Sequence, residues 1–291
     1  MNFAYPLAAL ASVFYGGADY FGGMAARRSP APVVTFASTV VGLPVMLLWL
    51  LVFAGVPTSA DVAWSVAAGA CGSIAAALIY RALAIGPVSI ASPVLSLVAM
   101  SLPVVVGLAL GERPSPVALG GLALAVVAIP LLSLAGDASA AAAAPGEAPA
   151  PVLRLVNRVL PVSFAAGIMA GLFLVFIGRV SHGAGLTPLV ISRLVAIALF
   201  SAWLFARRLP RWPAPGARGS AIASGLLDSF ANVAYLIAVQ RGSLALVAAL
   251  ISLSPATAVV MARALLGERW SVPQRWGLAA ALAAGACISV G

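Results

Sequence analysis

Most of the ionisable side chains that could do chemistry here sit inside apolar runs. Asp19 stands in Tyr15-Gly-Gly-Ala-Asp19-Tyr20-Phe-Gly-Gly, and Asp228 in Leu226-Leu-Asp228-Ser-Phe-Ala-Asn232-Val-Ala-Tyr235. The spacing of Asp228, Asn232 and Tyr235 puts all three on one face of a helix. Arg193, in Ile191-Ser-Arg193, lies about a third of the way along another apolar run, and its side chain is long enough to meet Asp228. A charge at membrane depth costs about 2.5–3.5 kcal/mol even on insertion scales, so such groups face a partner or a water-filled cavity. Two readings of Asp19 and Asp228 follow: a substrate or proton site, or a hydrogen-bonded cluster that holds helices together. Arg81 and Arg263 fall near the same level as Asp19. Either could pair with Asp19 as an inner gate, or both could snorkel to the interface.

Softer groups join this set. Pro255 removes a backbone donor from its helix and frees a carbonyl, which is tolerated at depth only when buried or lining a cavity. Ser252 and Ser254 beside it could meet a polar substrate, and Ser96 holds the place matching Ser252 in an internal repeat described below. Tyr15, Tyr80 and Tyr235 offer an apolar face with a hydroxyl handle, or pack as ordinary aromatics.

Other chemistries are poorly served. The chain has one His and two Cys, Cys71 and Cys287, with no metal-ligand spacing, so neither a metal nor another cofactor is expected. All 16 basic residues are Arg, and a phosphate-binding loop needs Lys. No nucleophile triad, catalytic carboxylate pair or zinc-hydrolase motif is present. The net charge of +9 does not imply nucleic acid, because the arginines stand singly or in pairs between apolar runs, as topology signals do.

These residues must be positioned by membrane helices. Of 291 residues 63% are hydrophobic and 8% charged, too few polar groups to clothe an aqueous fold of this size. Apolar runs of spanning length are expected near 4–25, 32–54, 62–85, 88–110, 116–135, 160–180, 187–207, 219–239, 244–266 and 273–290. The fold expected is therefore all-α and integral to the membrane, with ten transmembrane helices. Residues 136–151, GDASAAAAAPGEAPAP, read as part of a flexible linker over 136–158. It separates a first unit over 1–135 from a second over 159–291. With ten spans, the breaks after odd-numbered helices hold ten arginines and those on the other side two, Arg113 and Arg241. The positive-inside rule then puts both termini outside.

Residues 82–125 and 238–281 superimpose without a gap at an offset of 156. The tightest match is Leu110-Gly-Glu-Arg-x-Ser115-x5-Gly121 against Leu266-Gly-Glu-Arg-x-Ser271-x5-Gly277. Apolar composition alone does not generate such an interruption twice. Each unit has five helices, an odd number, so the second enters the membrane from the opposite side. Inverted repeats are a recurring transporter architecture, with the substrate site near the midplane between units. Glu112 and Glu268 read as structural acceptors for the turns that follow them.

Two five-helix units, each ending in an apolar helix, Gly-Glu-Arg, a short turn and a Gly-rich helix, resemble the EamA family of the drug/metabolite transporter superfamily. Leu253-Ser-Pro255 ahead of Leu265-Leu-Gly-Glu268-Arg269 is similar to the family's helix-breaking proline before its glutamate, and Arg193 looks like the family's arginine early in the second helix of a unit. The first unit departs, with Ala99 opposite Pro255 and prolines at Pro93 and Pro103. The resemblance implies a carrier of small metabolites such as amino acids, often an exporter. Its partners would be a small-molecule substrate, the bilayer and, if coupled, protons; coupled and uncoupled transport both stay open, as does oligomeric state. The composition, rich in Ala, Gly and Arg, suggests a bacterial inner membrane. The alternatives are a non-transporting scaffold or sensor and a membrane-embedded enzyme acting on lipid-linked substrates.

Overall fold

The computed structural model describes residues 3–85, 88–133, 152–266 and 271–290. The 136–151 portion of the expected linker lies outside them, as do Glu268, Arg269 and the side chain of Arg263. Among the described residues there are eleven α-helices and one 3-10 turn, with no strand. The helices are α1 (Ala4–Ala26), α2 (Ala31–Val52), α3 (Ser59–Ile85), α4 (Val88–Ala109), α5 (Pro116–Ser133), α6 (Val152–Gly178), α7 (Thr187–Ala206), α8 (Pro215–Val239), α9 (Leu244–Ile251), α10 (Ser254–Leu266) and α11 (Val272–Val290). They form ten spans, because α9 and α10 are halves of one span broken at Ser252-Leu253. The break follows from Pro255, which has no N–H to give the Ile251 carbonyl four residues earlier.

Five helices meet the length and hydropathy demands of a span outright: Ala31–Val52, Ser59–Ala82, Val159–Gly178, Thr187–Ala206 and Pro215–Val239. The other spans have 18 residues or more end to end, within the range a bilayer core requires. Large apolar side chains such as Leu51, Val105, Phe205 and Leu282 stand exposed around the outside, an arrangement suited to lipid rather than water.

The two units interlock instead of packing as separate bundles. α1 lies along α8, and correspondingly α6 lies along α3. α2 meets α8 as α7 meets α3, and α4 meets α6 as α9–α10 meets α1. α5 packs on α11, α2 on α7 and α4 on α9. Exchanging each span with its counterpart five places on maps every one of these contacts onto another or onto itself. That is the signature of a pseudo-two-fold axis relating inverted units.

Small residues permit the close approach. A Cβ at Gly69 of α3 would stand 2.6 Å from the Ser192 carbonyl of α7, and one at Gly225 of α8 would stand 2.8 Å from Ser38 Cα of α2. These two glycines are themselves related by the repeat offset. The repeated serines also have a local explanation. Ser115 accepts from Ala118 N (3.1 Å) at the start of α5. Ser271 accepts from Gln274 N (3.4 Å) at the start of α11, while Gln274 accepts from Ser271 N (3.1 Å). Both are N-caps, and the second is a reciprocal capping box.

Glu112 departs from expectation. It accepts from Ser243 Oγ (2.6 Å), Leu244 N (2.7 Å) and Ala245 N (3.1 Å), capping α9 in the opposite unit rather than its own following turn. A carboxylate at unsatisfied helix N-terminal donors is stabilising, and only the inter-unit packing brings α9 within its reach.

Candidate functional site

A cavity of about 250 Å³ lies between the two units. Asp19 and Tyr15 of α1, Tyr80 of α3, Ser96 of α4, Arg193 of α7, Asp228 and Asn232 of α8, and Ser252 at the broken span all line it. Asp19 and Tyr80 lie in the halves of α1 and α3 nearer the Arg-rich face, whereas Arg193 and Asn232 lie in the opposite halves of α7 and α8, so the cavity straddles mid-span. With Ser254, nine of the residues singled out from the sequence therefore share one space.

Two do not. Tyr235 is fully buried and donates its hydroxyl to the Leu174 carbonyl of α6. It shares the helical face of Asp228 but stands seven residues further along α8, about 10 Å away, where α8 is already packed against α6. Pro255 does not line the cavity either. It breaks the helix, while Ile251, Ser252 and Ser254 around the break face the space.

Arg193 and Asp228 form an ion pair at 2.6 Å, with side-chain exposures of 10% and 32%. Arg193 Nη2 also donates to Ser229 Oγ (3.2 Å), and Nε lies 3.5 Å from Met46 Sδ. The pair is extended by Asn232, which donates to the Asp228 carbonyl (2.7 Å) and accepts from the Tyr15 hydroxyl (3.1 Å). α1, α2, α7 and α8 are thereby joined through one polar network at mid-membrane.

Asp19 differs. Its side chain is exposed, and the space it is exposed to is the cavity. Among the described residues it has no hydrogen bond and no ion pair. The expected gate between Asp19 and Arg81 is not formed, because Arg81 is exposed and makes no pair with it. The long Arg side chain near the end of α3 is free to reach the interface.

The hydroxyls around the cavity mostly turn inward on the backbone. Ser38 donates to the Ala221 carbonyl (2.9 Å) and Ser224 to that of Ala18 (2.9 Å), each across a helix interface. Thr35, Thr39, Ser73 and Ser252 donate to carbonyls four residues back, and Ser192 to Leu189 three back. The cavity surface is consequently richer in acceptors than its Ser and Thr content suggests.

One element escaped the sequence reading. Asp61, 2% exposed at the start of α3, accepts from Thr58 N (2.9 Å), Thr58 Oγ1 (2.8 Å), Ser181 N (2.8 Å) and Ser181 Oγ (2.8 Å). Beside it Val56 N donates to the Gly183 carbonyl (3.0 Å), Leu186 N to Phe53 (3.0 Å) and Thr187 Oγ1 to Gly55 (3.0 Å). The α2–α3 and α6–α7 connections are thus laced together on the Arg-poor face. Thr58-x-x-Asp61 is a capping-box pattern, so the local half of this arrangement was visible in the sequence; its partner Ser181 was not.

The chain matches the EamA-like transporter family twice, over residues 2–134 and 158–290. It belongs to that family. The two matched stretches carry spans one to five and six to ten, so this EamA-like protein is a membrane transporter and a multi-pass membrane protein. A solved crystal structure, described only as that of a protein, aligns with a TM-score of 0.74 at 18% identity, covering 100% of this chain and 98% of that one. At that identity the likeness supports the fold of this EamA-like chain and no more. No curated protein matches it significantly.

Proposed function

We propose that this EamA-like protein is a secondary transporter that exports a small polar or amphipathic metabolite, such as an amino acid, by alternating access between its inverted units. The observation that carries the reading is the charged cavity at mid-membrane, framed by helices of both units. Inverted units can exchange packing arrangements and so present one site to either side.

Export is favoured by the closure of one face: the α2–α3 and α6–α7 connections are laced together there by Asp61 and the loops beside it, while the Arg-rich face is cytoplasmic by the positive-inside rule. Substrate would load from the cytoplasm and leave when that lacing parts. The membrane we assign is a bacterial inner membrane. Tyr15, Asp19, Tyr80, Ser96, Arg193, Asp228, Asn232 and Ser252 are the proposed substrate contacts, and Asp19 and Asp228 the groups able to carry a proton if transport is coupled.

The test is uptake by liposomes containing the purified protein, with labelled amino acids and small metabolites, with and without an imposed pH gradient. Transport that follows the gradient and is abolished in Asp228→Asn supports coupling at that residue. Transport indifferent to pH supports a facilitator. If no panel member crosses, the reading of the cavity as a site for amino acids and similar small metabolites fails.

A further inference from the structure

The transporter reading leaves the substrate class open, and the polar atoms of the cavity narrow it. We infer that the cavity takes a cationic, amine-bearing substrate and that Asp19 is its counter-ion. This rests on the transporter reading and deepens it.

Charge is the first argument. The carboxyl and guanidinium side chains in the cavity wall are those of Asp19, Asp228 and Arg193. Arg193 is held at 2.6 Å by Asp228 and again by Ser229, and is 10% exposed. Its charge is answered before any substrate arrives. A substrate carboxylate would have to displace Asp228 from a largely buried pair and leave that aspartate uncompensated. Among the described residues Asp19 has no such partner, and it faces the space directly. The described wall thus carries one carboxylate in excess, and a cation answers it without breaking anything.

Hydrogen-bond polarity is the second and independent argument. Hydroxyls could bind an anion by donating, but Ser38, Ser73, Ser192, Ser224 and Ser252 give their hydrogens to backbone carbonyls. The Tyr15 hydroxyl gives its hydrogen to Asn232. What these groups present to the cavity is oxygen lone pairs. Ile251, whose carbonyl receives no N–H from Pro255, lines the same space. Ser96, Ser254 and Tyr80 are the lining hydroxyls that give no hydrogen to a described acceptor. An ammonium group has donors and no acceptor, which is what such a wall accommodates.

The walls suit the rest of such a molecule. Phe173, Phe200, Tyr15 and Tyr80 line the same space, and aromatic faces attract a desolvated cation. The volume of about 250 Å³ confines the choice to small amines.

Three compounds with one hydrocarbon body and different heads test this: phenethylamine, phenylalanine and 3-phenylpropanoate. Binding to the purified protein is measured by ligand-dependent thermal shift, and uptake into liposomes beside it, for the parent chain, Asp19→Asn and Asp19→Glu. The amine is expected to bind about tenfold or more tightly than the carboxylate, a ratio worth about 1.4 kcal/mol. Asp19→Asn should remove that preference and leave carboxylate binding as it was, while Asp19→Glu, which keeps the charge, should retain it. Equal or tighter binding of 3-phenylpropanoate, a preference that persists in Asp19→Asn, or no binding of the amine overturns the inference. Uptake of phenylalanine or the carboxylate without the amine overturns it while leaving the transporter reading intact. Failure of these compounds and of the wider metabolite panel to cross overturns the small-metabolite reading on which the inference rests.

Discussion

Replacing Arg193 with glutamine removes the cation that Asp228 depends on, and the cost can be worked from the geometry. At 2.6 Å two unit charges attract by roughly 6 kcal/mol at an effective dielectric of about 20. Desolvation of both groups offsets part of this, and cutting one partner from a buried pair costs about 3–5 kcal/mol. Asp228 is 32% exposed to the cavity, where water shares its charge, so the lower end, about 3 kcal/mol, is expected. Asp228→Asn should cost a similar amount by stranding Arg193, which is the more buried partner. The double variant Arg193→Gln/Asp228→Asn keeps the shape and leaves no lone charge, so it should recover most of the loss. A double-mutant cycle on thermal stability in detergent should return a coupling of about 1.5 kcal/mol or more. At roughly 2–4 °C per kcal/mol for a chain of this size, each single variant falls by roughly 6–12 °C and the double variant by markedly less. Single variants that cost under about 1 kcal/mol, or losses that simply add, would refute the assignment of this pair as the link between α7 and α8.

Further outcomes follow from the other contacts. Glu112→Ala strips three hydrogen bonds from the start of α9 and should cost about 2 kcal/mol, with Glu112→Gln losing less; thermal melts of both variants decide this. Tyr235→Phe leaves the buried Leu174 carbonyl without its donor and should lower stability by about 1–2 kcal/mol. Because Tyr235 is outside the cavity, the KM for uptake should not move; a raised KM would return Tyr235 to the site. Gly225→Ala places a methyl against the Ser38 backbone and should cost about 1–3 kcal/mol, visible as a lower Tm, whereas Gly120→Ala, where a Cβ meets nothing within 4 Å, should be neutral. Asp61→Ala removes the acceptor that joins the two laced loops, and should speed thiol labelling of a cysteine placed at the buried position 184 (Ala184→Cys). Unchanged labelling would show that Asp61 caps α3 without holding the face closed.

The sequence by itself determined that this chain lives in a bilayer, because its charged fraction is too small for any aqueous surface. It also determined the ten spans and the paired units, since hydropathy runs and the Gly-Glu-Arg-x-Ser repeat are properties of the chain read in order. Helix periodicity was enough to put Asp228 and Asn232 on one face, and the loss of an N–H at Pro255 was enough to expect a break. The tertiary structure alone decided which faces meet. Whether Asp228 answers Arg193 depends on how α7 and α8 are brought together, and that is set by α2 and α3 packing on them through Ser38 and Gly225 and through Gly69 and Ser192. The same packing left Asp19 facing the cavity with no arginine beside it among the described side chains, carried Glu112 to the far unit's α9, and turned Tyr235 away from the cavity onto α6. Local spacing fixes a side chain's direction about its own helix axis. Its partner and its depth are fixed by contacts between residues 35 to 183 positions apart, which no local pattern encodes.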